Sequence, residues 1–201
     1  MPRPLTETDV TQFRERLCEA GEKLFATHGT EAVTMRHLAT ALGVSPMTPY
    51  RYFKDKDEIL AMVRAAAFNR FAAALEAARD PAGDPLESSL RVAEAYAHFA
   101  LSQPQAYRLM FDLSQPNGDQ YPDLADAAAR ARRTMSAHVH DMITAGLLQG
   151  DAEMIGHVLW SVLHGAIVLQ LAGKLAPGID PVALRTMALA VLGKGLGIGE
   201  G

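Results

Sequence analysis

Residues 34–60 place two helix starts and a tight turn within one short stretch, and this constrains the fold more than any other part of the chain. Thr34 is a natural N-cap, because its hydroxyl oxygen can accept from an amide left unpaired at a helix start. Gly43 can adopt the left-handed conformation that ends a helix. Ser45 and Pro46 then offer a second N-cap with proline in the first helical position. Two short helices joined by a turn containing glycine describe a helix-turn-helix, whose second helix can enter the major groove of DNA.

The composition favours helices throughout the chain. Hydrophobic residues make up 49% of the sequence and aromatic residues only 6%, and long alternations of Val, Ile and Thr are absent. Ala, Leu and Met are good helix formers, whereas strands prefer β-branched and aromatic residues. We therefore expect an all-α fold of about nine helices. Apolar periodicity and breakers place them at residues 8–28, 34–42, from 45, 55–79, 86–102, 105–111, 122–148, 152–175 and 182–192.

The expected domain boundary lies where the fourth helix begins. Asp55 is an N-cap candidate, and Glu58 three residues later completes a capping box. Residues 1–54 are expected to form a small helix-turn-helix domain of three helices. Residues 55–201 are expected to form a larger helical body.

Charge and cysteine content limit the setting in which the chain works. The net charge of −4 gives no overall nucleic-acid signature, but residues 34–56 carry four cationic side chains against one carboxylate, a local charge of +3. A single cysteine, Cys18, excludes an intrachain disulfide and fits a reducing compartment. The N-terminus lacks a signal-peptide core, and the apolar run at residues 160–175 is interrupted by polar side chains. We expect a cytoplasmic protein without a membrane partner.

The helix-turn-helix stretch resembles the DNA-binding domain of the TetR (tetracycline-repressor-like) family over about residues 10–60. The residues that carry the resemblance, 33–39, 44–45 and 50–56, read VTMRHLA, VS and YRYFKDK. Farther along, Trp160, His164 and Gly165 resemble the Trp-x-x-x-His-Gly pattern of one subgroup of that family. The resemblance implies a homodimer whose two recognition helices enter successive major grooves of a pseudo-palindromic DNA operator. It also implies a small-molecule effector that releases a repressor from DNA, and it implies no catalysis.

Nine residues are candidates for DNA contact. An arginine fork at Arg36 suits guanine O6 and N7, while Met47 can contact a thymine methyl group. Hydroxyl and cationic side chains suit phosphates, which position a protein without reading sequence. The full set is Thr34, Arg36, Ser45, Met47, Thr48, Tyr50, Arg51, Tyr52 and Lys56. The family pattern also implies base contact by Tyr50.

Simpler roles remain open for several of these side chains. Arg36 and Lys56 can each be ordinary solvated charges. Tyr50 and Tyr52 are two residues apart and cannot share one face of a helix, so one of them can be a packed core aromatic. Phe53 is expected in the core.

Pro49 conflicts with a regular recognition helix. If Ser45 is the cap, Pro49 falls at the fourth helical position and removes the first backbone hydrogen bond of the ladder. If Thr48 is the cap instead, Pro49 occupies the first helical position at no cost. We expect the first turn to be loosened or 3₁₀-like.

The C-terminal body offers candidates for a small-molecule pocket, because apolar walls with few polar groups are typical of ligand sites. The candidates are Tyr96, Phe99, Tyr107, Met110, Met135, His138, Met142, Trp160 and His164. The alternative is that they simply pack in the core. For His164 and Gly165 we favour a hydrogen-bonded interior histidine beside a glycine that allows close helix approach, with ligand donation by His164 as the alternative. No Cys/His group has zinc spacing, and no metal or cofactor is expected.

The last two predicted helices are more apolar than a single solvent-facing helix should be. Packing against their copies in a second subunit, as a four-helix bundle, would bury the surplus. A helical enzyme is disfavoured, because no nucleophile–base pair, metal cluster or phosphate loop is evident. A helical protein-interaction module, or an activator without a small-molecule effector, remains the alternative function.

Overall fold

The computed structural model describes residues 7–111 and 120–198, and within them every element is helical. The helices are α1 (Glu7–His28), α2 (Met35–Ala41), α3 (Lys56–Ala78), α4 (Pro85–Ser102), α5 (Pro104–Met110), α6 (Pro122–Thr144), α7 (Ala152–Leu171) and α8 (Pro181–Gly195), with a 3₁₀ turn at Pro49–Arg51. The all-α prediction is confirmed. Eight α-helices replace the nine expected, because the third one does not form.

The stretch at residues 45–52, which we call the recognition segment, consists of turns rather than an α-helix. The Thr48 amide donates to the Ser45 carbonyl at 2.8 Å, and the Arg51 amide donates to the Thr48 carbonyl at 3.1 Å. Both bonds join residues three apart, as in a 3₁₀ turn. Pro46 and Pro49 supply no N–H for an α-helical ladder. The expectation of a 3₁₀-like turn is therefore confirmed.

The helix start expected at Ser45 and Pro46 is wrong. No α-helix begins there, and the Ser45 hydroxyl oxygen instead accepts from the Met47 amide at 3.4 Å. Thr48 makes no side-chain cap either, although Pro49 does occupy the first position of the 3₁₀ turn.

The chain divides into two compact units. Residues 1–69 with 105–128 form one, the head unit, and residues 70–104 with 129–201 form the other, the body unit. Helix α3 contributes its first part to the head unit and its last part to the body unit. The functional boundary at residue 54 stays a prediction.

The head unit is built on one apolar core beneath α1, α2 and the start of α3. Leu17, Leu38 and Val63 are fully buried in it, and Phe53 is buried beside them. At the end of α2, Gly43 adopts a φ of +65°, as expected of a residue that ends a helix.

In the body unit, α6 is joined to α7 by close backbone approach and to the end of α3 by an ion pair. A Cβ on Gly156 of α7 would lie 2.9 Å from the Met135 carbonyl oxygen of α6, so only glycine fits this crossing. Arg79 donates from Nε and Nη2 to the two carboxylate oxygens of Asp141, each at 2.7 Å. This fork ties the residue that follows α3 to α6.

By length and composition alone, one helix in the described ranges, α7, is apolar enough to cross a membrane. This indication is weak, because core helices of soluble proteins pass the same test. One face of α7 packs against α4 and α8, and the opposite face exposes Val158, Val168 and Leu169.

Candidate DNA-binding surface and ligand cavity

Helix α2 presents its first turn to solvent. The Thr34 hydroxyl oxygen accepts from the His37 amide at 3.2 Å, which confirms Thr34 as the N-cap. Its hydroxyl proton remains able to reach a phosphate oxygen. Arg36, two residues on, is exposed, whereas Met35 and Leu38 point into the core. The buried face fixes the helix, so Arg36 projects from a rigid base.

The recognition segment also exposes its candidate side chains. Met47 is 67% exposed and Tyr50 is 50% exposed, which is high for large apolar or aromatic residues. Ser45 and Arg51 are exposed as well, whereas Thr48 is half-buried. Pro49 is buried and anchors the segment to the head unit. The segment therefore offers a side-chain surface without forming an α-helix.

The two tyrosines have different environments. Tyr52 is half-buried and stacks on Phe13 with ring centroids 4.3 Å apart, so it is the packed aromatic of the pair. Tyr50 is the exposed one. Phe53 lies in the core as expected, with the Arg14 guanidinium 4.9 Å from its ring centroid. DNA contact by Tyr52 would have to come from its hydroxyl tip.

Lys56 has a structural partner at the start of α3. Its Nζ donates to the Thr30 carbonyl oxygen at 2.8 Å and so ties α3 to the segment that follows α1. Two further ammonium protons can still serve a phosphate. Asp55 caps α3 by accepting from the Glu58 amide at 3.0 Å, and Glu58 reaches back to the Lys54 amide at 2.6 Å. The predicted capping box therefore forms, except that Glu58 accepts from the Lys54 amide and not from the amide of Asp55, the capping residue itself.

A cavity of about 610 Å³ lies within the body unit. This volume is within the range of small-molecule sites. Side chains from α4, α6, α7 and α8 line it, together with Leu75 of α3. Five of the nine predicted ligand residues border it: Tyr96, Met135, His138, Met142 and Trp160.

A hydrogen-bonded chain runs along one wall of the cavity. Trp160 Nε1 donates to the Tyr96 hydroxyl oxygen at 2.9 Å, and that hydroxyl lies 3.2 Å from His164 Nδ1. Because indole N–H only donates, the Tyr96 hydroxyl oxygen accepts from Trp160, and the same hydroxyl shares a second hydrogen bond with His164 Nδ1. Burial lowers the pKa of His164, which favours the neutral ring.

His138 is a deeply buried histidine on the cavity wall. It is 8% exposed, and its Nδ1 lies 2.9 Å from the Ser89 hydroxyl oxygen. Burial lowers the pKa of His138 to about 4, with the Asp141 carboxylate opposing that shift and the Arg79 guanidinium reinforcing it. The ring is therefore neutral near pH 7.

Residues 89–192, just over half of the chain, match the family described as "Tetracyclin repressor-like, C-terminal domain", and residues 17–63 match "Bacterial regulatory proteins, tetR family". The chain belongs to the TetR family. The matched ranges include the exposed surface of α2 and the recognition segment at one end and most of the cavity wall at the other.

Similar proteins agree with this assignment. The HTH-type transcriptional regulator Rv1816 of Mycobacterium tuberculosis is 27% identical over 149 residues, which cover 73% of this chain and 62% of that regulator. A solved protein of unknown function from Rhodococcus sp. RHA1 superposes with a TM-score of 0.79 at 25% identity, over 98% of this chain and 99% of its own. The TetR-family regulator PfmR from Thermus thermophilus gives a TM-score of 0.68 at 25% identity, over 88% of this chain and 97% of its own.

Four predicted ligand residues of this TetR-family chain lie outside the cavity lining. Phe99 is buried and packs edge-on against Phe71, with centroids 5.2 Å apart. Tyr107 and Met110 are buried in the head unit. His164 stands behind the wall as the hydrogen-bond partner of Tyr96, which agrees with the favoured interior role.

Within the single chain, Gly165 does not make the close helix approach expected of it. A Cβ there would meet nothing within 4 Å, whereas Gly156 makes the close crossing in the TetR-family body. Sequence reasoning also missed the contribution of α8, which adds Val182, Arg185 and Lys194 to the cavity wall. Gly165 belongs to the Trp-x-x-x-His-Gly pattern and is therefore the predicted contact glycine. Gly156 belongs to no such pattern, so its close contact with α6 could not be predicted from the sequence.

Metal-ligand side chains do not cluster in the part of the chain that the structure describes. No group of three or more His, Cys, Asp or Glu side chains is arranged there to hold a metal ion.

Proposed function

We propose that this TetR-family chain is a homodimeric transcription regulator that binds a pseudo-palindromic DNA operator and is released from it, as a repressor, by a small molecule. The observation that carries the proposal is the exposed surface formed by Thr34, Arg36, Met47, Tyr50 and Arg51 on a rigid apolar core. Polar and cationic groups suit phosphates and guanine edges, and Met47 suits a thymine methyl group.

Binding to the DNA upstream of its own gene tests this proposal. Fluorescence anisotropy should give nanomolar affinity for that DNA, far weaker binding to a scrambled fragment, and a steep loss of affinity with salt. Arg51→Ala should weaken binding, whereas Arg132→Ala, which removes an exposed arginine from α6, should not. Equal binding to both DNA fragments, or none to either, would favour a protein-interaction module instead.

The dimer is proposed to form through α7 and α8. No residue of α8 is buried within the single chain. Val182, Met187 and Val191 of α8 are each at least 60% exposed. Such a surface requires cover, and a second copy of α7 and α8 would complete a four-helix bundle. Gly165, whose Cβ position is open, lies on the same exposed face of α7 as Val158 and Leu169.

The cavity is proposed as the effector site. Its volume suits a small molecule, and α3 contributes Leu75 to its wall and belongs to both units. A ligand that prefers one arrangement of the cavity walls would shift the population of DNA-binding forms by its difference in affinity. We infer no catalytic role and a cytoplasmic location, both in keeping with the family.

A further inference from the structure

The chemistry of the effector can be read from the polar groups on the cavity wall. Most of the lining is aliphatic or aromatic, with leucine the commonest residue, and Met135 and Met142 add flexible apolar surface. A ligand body that fills this space has to be mainly apolar. The few polar groups then decide which functional group the ligand carries.

The polar atoms of the Trp160 wall already have partners. The Trp160 N–H is donated to the Tyr96 hydroxyl oxygen, and that hydroxyl is also hydrogen bonded to His164 Nδ1. A ligand group that took the indole proton or the place of His164 would have to break an existing hydrogen bond. This wall therefore acts as a shaped apolar surface.

His138 differs because one of its ring nitrogens is still available. Nδ1 is engaged with Ser89, and the Met135 backbone, three residues earlier on the same helix, also hydrogen bonds to the ring. Nε2 has no side-chain partner within residues 7–111 and 120–198. The ring is more than nine-tenths buried and borders the cavity, so a ligand is the natural partner for this nitrogen.

Charged side chains lie only at exposed or half-exposed parts of the described lining. Glu94 and Lys194 are exposed, and Arg185 is half-buried with its Nη1 donating to Gln170 Oε1 at 2.6 Å. Beside His138, the nearest ions are Arg79 and Asp141, which neutralise each other in their fork. The buried wall beside His138 thus offers no uncompensated charge to a ligand ion, and burying one there would be costly.

We propose that the cavity takes an uncharged, mainly apolar molecule whose single hydroxyl or carbonyl group hydrogen bonds to Nε2 of His138. This inference rests on the proposed effector site and names the class of ligand that the site accepts. His138 is then the residue that determines specificity, because its Nε2 can hydrogen bond to the polar group of the ligand. An organic carboxylate of the same shape is excluded by the cost of desolvating its charge.

Three matched probes test the proposal on the full-length protein: phenylpropanol, phenylpropanoate and propylbenzene. Trp160 is the single tryptophan of the chain and borders the cavity, so its fluorescence reports binding at this site. At pH 7 the alcohol should bind at least about tenfold more tightly than the carboxylate. Tighter binding of the carboxylate, or no binding by any of the three probes, would overturn the proposal.

Variants of His138 isolate the hydrogen bond. His138→Leu should weaken phenylpropanol about three- to tenfold and leave propylbenzene unchanged, since only the alcohol has a bond to lose. His138→Gln keeps a donor and an acceptor and should hold the affinity for phenylpropanol within about threefold. If the leucine variant fails to fold, His138→Gln still tests whether a hydrogen-bonding side chain at this position is enough for phenylpropanol binding. His140→Leu, on an exposed position of the same helix, is the control and should change neither probe.

Equal weakening of the alcohol and the hydrocarbon by His138→Leu would show that His138 only shapes the cavity, and the proposal would be wrong. DNA binding in the presence of phenylpropanol separates this inference from the proposed function. If the alcohol binds through His138 but leaves DNA affinity unchanged, the ligand class stands and the effector role fails. If DNA is released by a probe whose affinity is insensitive to His138, the effector role stands and the ligand class fails.

Discussion

Individual side chains on the head unit have separable tasks. Arg36 is exposed and unconstrained by the core, so its guanidinium is placed to read a base edge. Lys56 is half-buried and holds the Thr30 carbonyl, so it positions the start of α3 and adds positive charge. The first is expected to affect sequence preference and the second to affect affinity for every sequence.

Arg36→Ala should relax the preference for one base pair in each half-site at a cost of about 1–3 kcal/mol. Lys56→Ala should weaken binding to all sequences by a similar factor, because phosphates carry no sequence information. Anisotropy titrations against an operator and its single-base variants measure both effects. If the two losses were equally independent of sequence, the base-reading role of Arg36 would be wrong.

His138 makes stability depend on pH in a predictable direction. Its pKa is about 4 in the folded protein against an ordinary value of 6.5, so the unfolded chain binds the proton first as the pH falls. The contribution of the neutral buried ring to stability is complete above pH 6.5, declines below it, and stops changing near pH 4.

Between pH 7 and pH 5 the wild type should lose about 2 kcal/mol from this residue, whereas His138→Gln should lose none of it. Urea unfolding at the two pH values gives the comparison. A wild type and a glutamine variant with the same pH dependence would contradict the burial assigned to His138.

At the scale of helices, the sequence predicts well where local chemistry decides. α1, α4 and α7 begin within one residue of the predicted positions, because apolar periodicity and capping residues act within one helical turn. The recognition segment departs from the predicted helix because two prolines lie three residues apart in it. Pro49 signalled this departure, but local sequence could not show that its ring would be buried against the head unit.

Pro49→Ala should convert the recognition segment toward an α-helix. Residue 49 would gain an N–H able to donate to the Ser45 carbonyl, the bond that proline removes. NMR chemical shifts should become helical over residues 46–52, and the amide of residue 49 should gain protection from hydrogen exchange. Pro46→Ala is the control, because an N–H in a first helical turn has no ladder partner. A segment that stays 3₁₀-like in Pro49→Ala would show that tertiary packing, and not the missing donor, sets its shape.

At the scale of the whole molecule, the cavity was only partly predictable. Helical spacing shows which side chains face inward, as for Tyr96, Phe99 and Tyr107, but not whether an inward face borders a void or a packed neighbour. Phe99 packs against Phe71, whereas Tyr96, three residues earlier on the same helix, borders the cavity. The contribution of α8 to the cavity wall depends on contacts between segments that are distant in sequence, and local sequence patterns do not predict such contacts.

Dimerisation through α7 should be sensitive to the size of residue 165. A Cβ at residue 165 meets nothing within 4 Å in the single chain, so Gly165→Leu should retain folding. In the proposed dimer the added side chain would meet the facing helix. An overpacking cost of about 1–3 kcal/mol would raise the dissociation constant about five- to 150-fold. Sedimentation velocity over a range of protein concentration measures this.

Arg132→Leu, which places the same side chain on an exposed position of α6, is the control and should leave the dimer intact. A Gly165→Leu protein that remains as dimeric as the wild type would place the interface elsewhere.

Selection of binding sites from random-sequence DNA by the full-length protein tests the central claim most directly. The account predicts an enriched pseudo-palindromic motif with half-sites about one helical turn, or about 10 base pairs, apart, as expected when a two-fold dimer reads successive major grooves. Recovered DNA with no shared motif, after the same number of rounds that enriches one for a known operator-binding protein, would contradict it.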